Sequence, residues 1–129
     1  MPDTTIHFYR ESDGGSPVLA WLTELRRDDR KAYAKCVALI KRLAAFGHEL
    51  RRPHADYLRD GVYELRAKLG HVNYRMLYFF AGRDIAVVAC GLTKEREIPP
   101  SEIERAIGRR RRYEQNPTQH QATYPIEKA

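Results

Sequence analysis

The chain has 129 residues, 43% hydrophobic and 31% charged, which supports one packed core, is too short for a second, and argues against wholesale disorder. Lys and Arg outnumber Asp and Glu by 23 to 17, a net charge of +6 that suits a polyanionic partner such as nucleic acid, or an acidic protein, and equally suits solubility alone. Met1 to Arg10 holds no apolar signal core, and no run nears the ~20 apolar residues of a membrane helix, so the expected location is the cytoplasm, without membrane contact.

Thr5-Ile6-His7-Phe8-Tyr9 alternates apolar and polar residues as a short strand does, and Asp13-Gly14-Gly15 supplies a turn. Ser16 and Pro17 read as N-cap and first residue of a helix, with Val18, Trp21, Leu22 and Leu25 at helical spacing. A second stripe, Tyr33, Cys36, Val37, Ile40, Leu43 and Ala44, ends at Gly47, so the two segments predict a helical hairpin. Leu50 to Asp60 lacks periodicity and is expected as a basic loop carrying Arg51, Arg52 and His54. Three strand-like runs follow, Val62 to Leu69, Val72 to Phe80 and Ile85 to Leu92, joined by turns short enough for an antiparallel meander.

Pro99-Pro100 stops the sheet. Ser101 is the expected cap of a last helix, with Glu104 at the capping-box position and Ile103, Ala106 and Ile107 as its stripe, running to about Tyr113. Residues 114–129, with Pro117, Pro125 and few apolar anchors, are expected as a loosely held tail. Cys36 and Cys90 fall in helix and strand patterns and read as buried thiols. The order β-α-α-β-β-β-α predicts a single α+β domain over residues 1–113, a small antiparallel sheet against a helical hairpin with a C-terminal helix.

Strand alternation puts Glu64, Arg66 and Lys68 on one face of the middle strand and Tyr63, Leu65, Ala67 and Leu69 on the other. If the apolar face rests on the hairpin, the polar row looks outward from a rigid sheet, a pattern that an ordinary solvated face shares. Arg75, inside an apolar run, needs a partner such as Glu64 or an open surface. Lys94 and Arg96 follow the third run, so cations suited to phosphate come from three strands. The run Arg109 to Arg112 either complements the macrodipole of the last helix or grips phosphates.

Three phrases carry a resemblance: Gly61-Val62-Tyr63-Glu64-Leu65-Arg66, then Tyr74-Arg75-Met76-Leu77-Tyr78-Phe79, then Lys94…Pro99…Glu102-Ile103…Ala106. In their order and spacing, Thr5 to Tyr113 resembles the RelE/HigB superfamily of type II toxins, especially its phage-derived HigB-like branch. The resemblance implies a metal-independent endoribonuclease that needs no cofactor, cuts messenger RNA on the ribosome, and is held inactive by an antitoxin, expected to be a helix-turn-helix protein. Carried onto this chain, it implies Arg66, Lys68, Arg75 and Lys94 around the scissile phosphate. Glu64 is left as base or cross-strand partner, with Lys68 as the other candidate base and His54 as a possible helper. His54, Arg96, Arg109, Arg110 and Arg112 are candidate RNA contacts, His54 only if its loop folds over the same face. Where relatives carry paired lysines after the last strand, this chain has Lys94-Glu95-Arg96-Glu97, which puts the local phosphate attraction in doubt. The alternatives are a ParE-like inhibitor of DNA gyrase and a non-catalytic RNA- or protein-binding module.

Overall fold

Local chemistry sets the ends of the helices. In the computed structural model, which describes residues 3–94 and 97–124 without the Lys94 side chain, Pro17 opens α1 (Pro17–Asp28), its ring already holding the helical φ. Ser16 stands at the cap position but its hydroxyl donates instead to the Tyr9 carbonyl at 2.8 Å. Asp29 separates α1 from α2 (Arg30–Phe46), and its carboxylate accepts from the Ala32 N–H at 3.1 Å, satisfying one orphan donor of the new helix. Gly47, at φ 52°, closes α2 as expected.

The strands are β1 (Thr5–Tyr9), β2 (Ala55–Arg59), β3 (Val62–Leu69), β4 (Val72–Phe80), β5 (Ile85–Lys94) and β6 (Gln121–Ala122), with α3 (Pro100–Gln115) before the last. They form one six-stranded sheet in the order β2-β3-β4-β5-β1-β6. The α+β class, the hairpin and the β3-β4-β5 meander are as the sequence predicts. Four details differ. The sheet is mixed, because β1 lies parallel to β5; periodicity marks a strand but says nothing of its partner. The expected loop from Leu50 to Asp60 follows a 3-10 turn (Gly47–Glu49) and contains β2, paired with β3. Pro99, not Ser101, caps α3, and Glu104 spends its carboxylate on Arg59 at 2.8 Å rather than on a capping box.

The fourth difference is the expected tail. As far as Tyr124 it is docked: β6 pairs antiparallel with β1, the buried His120 ring stacks on Tyr9 and contacts the Arg10 carbonyl at 2.7 Å, and the Tyr33 and Tyr124 hydroxyls bond to one another. Aromatic stacking and satisfied polar groups supply the anchorage that its few aliphatic residues do not. Residues 125–129, with Pro125, lie outside the described residues.

Each sheet face has its own core. The hairpin buries Leu22, Cys36, Ile40 and Leu43 against Phe8, Leu65, Met76, Tyr78 and Val88. On the reverse face α3 sets Ala106, Ile107 and Tyr113 against Val62, Leu77, Phe79, Val87 and Leu92. A register shift between Leu77 and Tyr78 lets Ala89 pass unpaired, so Cys90 and Leu92 join that second face.

Candidate nucleic-acid interface

α3 covers only part of the reverse face, and the functional candidates lie where that cover ends. Along the β3–β4 register, Val62 pairs with Phe79, Glu64 with Leu77, Arg66 with Arg75 and Lys68 with Asn73. The row therefore runs from dry to wet: Val62 is fully buried, Glu64 is 3% exposed, and Arg66 and Lys68 are exposed. The expectation that the whole row looks outward is corrected at Glu64, which sits at the margin of the α3 layer.

Arg66 and Arg75 are directly opposite one another, a like-charge juxtaposition that costs free energy unless compensated. Glu64 compensates it. One carboxylate oxygen accepts from Arg66 at 3.1 Å and the other from Arg75 at 3.4 Å. Arg75 is 9% exposed, so this is a mostly buried triad with one surplus positive charge. The Arg75 Nε is buried without a protein partner among the described residues.

Arg66, Lys68 and His54 line one cleft of 890 Å³ at the β2 side of the sheet, together with Arg52, Asp56 and Asn73. The Arg66 N–H donates to the His54 carbonyl at 3.0 Å, which places His54 in continuation of β2 beside Arg66. The opposite wall comes from α2, where Lys35, Ala38 and Arg42 are exposed at spacings of three and four. Arg52 holds the Asp56 carboxyl below the usual carboxylate range through an ion pair of 2.9 Å. Lys35 and Arg42 were not singled out from the sequence; the signal was the cationic helical stripe opposite the buried one, whereas Arg52 belongs to the stretch expected as a basic loop. Lys94 pairs through its backbone with Asn73, while its side chain and Arg96 lie outside the described residues.

Arg109, Arg110 and Arg112 of α3 are elsewhere and are engaged with protein. Arg109 donates to the Ala89 carbonyl at 2.6 Å and to Cys90 Sγ, and pairs with Glu11. Arg110 donates to the Asp60 carbonyl at 2.8 Å. Arg112 donates to the Tyr9 hydroxyl at 2.9 Å. Tyr113 is buried edge-on to Phe79. None of the four lines the cleft. Among the described residues, no three His, Cys, Asp or Glu side chains cluster so as to hold a metal ion, and no helix is long and apolar enough to cross a membrane.

Fold and site together define a small α+β protein with a cationic cleft at one edge of its sheet. The model of the phage-derived Gp49-like protein family (DUF891) matches residues 21–111, and the chain belongs to that family. A search of curated proteins gave no significant match.

Proposed function

We propose that this protein is the toxin of a type II toxin–antitoxin pair, a ribosome-dependent endoribonuclease that cuts messenger RNA. Membership of the phage-derived Gp49-like family supports a toxin. The observation that carries the nuclease is the joining of Arg66 and Lys68 in one cleft, with Arg75 tied to Arg66 through Glu64. A fold alone does not assign chemistry; convergent cations do so better, because they can stabilise one crowded phosphate.

In this reading a ribose 2′-oxygen attacks the adjacent phosphorus, the bond to the 5′-oxygen breaks, that oxygen takes a proton from water, and the products are a 2′,3′-cyclic phosphate and a 5′-hydroxyl. Arg66 and Lys68 stabilise the negative charge that builds on the phosphoryl oxygens. Glu64, with both oxygens occupied by arginine, positions those groups, leaving His54 as the cleft side chain suited to receive the 2′ proton. The cytoplasmic ribosome supplies the substrate, and a helix-turn-helix antitoxin masks the site.

The test is induced expression with mapping of transcript 5′ ends. Wild type is expected to create new 5′-hydroxyl ends that disappear in Arg66→Ala and when the antitoxin is co-expressed. Unchanged transcripts alongside altered DNA supercoiling would move the target to gyrase.

A further inference from the structure

A second hollow lies beside the cleft, and its walls are aromatic. It measures 690 Å³ and is lined by His48, Leu50, Arg51, Arg52, Ala55, Asp56, Tyr57 and Tyr63. Arg52 and Asp56 also line the cationic cleft, so the two hollows are neighbours across the Arg51–His54 segment.

Tyr57 is the unusual residue there. It is 54% exposed, on an edge strand, yet its ring is held at two points. The Gly61 N–H donates to its hydroxyl at 3.1 Å, and its edge meets the Tyr63 ring with centroids 5.0 Å apart. Tyr63 in turn stacks on Tyr78 and meets Phe80 edge-on, and His48 stacks on Phe80 with centroids 3.6 Å apart. An exposed ring normally keeps its rotamer freedom; this one is restrained by those two contacts before any ligand arrives, which lowers the cost of stacking on it.

The cations are fixed as well. Arg51 donates to the His48 carbonyl at 2.6 Å, and Arg52 is held by Asp56. Held aromatics interleaved with Arg, continuous with a cationic groove, are what single-stranded nucleic acid uses: bases stack while the backbone tracks the charge. Arg52 and Asp56 offset one another, so the net positive charge of the hollow comes from Arg51. A hydrophobic peptide side chain would fit the aromatic walls but gains nothing from that charge.

We infer that the hollow walled by Tyr57 and His48 is a base-stacking subsite for a nucleotide of single-stranded RNA next to the one whose phosphate occupies the cationic cleft. This rests on the nuclease reading for its substrate but not for its measurement. Tyr57 is here a binding and specificity residue, remote from the reacting bond.

The experiment is a titration of short single-stranded RNA carrying 2-aminopurine, whose fluorescence falls when it stacks, with the full chain in excess. Wild type is expected to quench the probe, Tyr57→Phe, which keeps the ring but loses the Gly61 bond, to retain quenching with slightly weaker binding, and Tyr57→Ala to bind about tenfold more weakly with quenching lost. His48→Ala, which leaves both direct contacts of Tyr57 in place, serves as the second variant and is expected to weaken quenching severalfold. Unaltered quenching in both alanine variants, or none with wild type, overturns the subsite. So does a Tyr57→Ala chain that binds RNA normally and loses only its protein antitoxin. Transcript mapping separates the two readings: cleavage sites unmoved by Tyr57→Ala reject the subsite and leave the nuclease standing. Tyr57-dependent quenching in a chain that cuts no transcript rejects the nuclease alone.

Discussion

The protein carries two concentrations of positive charge, and they are built differently. The four consecutive arginines of α3 are the more conspicuous in the sequence, yet Arg109, Arg110 and Arg112 are tied to carbonyls, to Tyr9 and to acidic side chains of the body. Arg66 and Lys68 are separated in sequence and exposed along the wall of a cleft, with Arg75 fixed behind them. The contrast teaches that charge density in a sequence measures little until the partners of each guanidinium are known. Cations already serving as hydrogen-bond donors to the fold have few donors left for a ligand.

The largest effect that would test this contrast is at Glu64. Glu64→Ala strands Arg75 in a low-dielectric site facing Arg66, and is expected to cost about 3 kcal/mol in denaturant unfolding, together with transcript cleavage. Arg109→Ala is expected to cost about 2 kcal/mol, since it leaves the Ala89 carbonyl without its donor and removes a contact of Arg109 over the Tyr9 ring. Arg66→Ala should do the reverse of Arg109→Ala: the unfolding midpoint moves by less than about 1 kcal/mol, because its side chain is 42% exposed, while cleavage is lost. Arg111→Ala, at an exposed position of α3, should change unfolding by no more than about 0.5 kcal/mol. An Arg109→Ala chain that is fully stable would erase the distinction between the two clusters.

The smallest expected effect concerns pH. Burial pushes the Cys36 thiol up to about 12 and also raises Cys90, with Arg109 pulling the latter back. Raised pKa values mean that these thiols stabilise the fold while neutral. Their contribution is complete below the ordinary thiol value of ~8.5 and is lost as pH climbs from there, towards about 12 for Cys36. Alkylation at pH 8 should therefore be slow in the native chain and prompt for both thiols once denaturant unfolds it; rapid native labelling of Cys90 would show that the α3 layer opens locally.

The sequence disclosed elements better than partners. β1, β3 and β4 match their predicted bounds because two-residue alternation and Gly-rich turns are local signals. β2 escaped because it is five residues long, with Asp56 and Arg59 breaking any apolar rhythm, and its strand character comes from pairing with β3. The parallel seating of β1 on β5 and the docking of His120 on Tyr9 depend on contacts across most of the chain, which no window of sequence contains. At the site, the shared face of Glu64, Arg66 and Lys68 followed from strand geometry alone. What did not follow was the depth gradient along that face, set by where α3 stops, or the α2 wall contributed by Lys35 and Arg42.

The seating of β1 also has a consequence in time. The first described strand finds its neighbours only in β5 and β6, so during vectorial synthesis it must wait, unpaired, until β5 has left the ribosome. Local pieces, the α1–α2 hairpin and the β3–β4 turn, can form early, but the sheet closes late. Because the hairpin core includes Phe8, its packing also completes late.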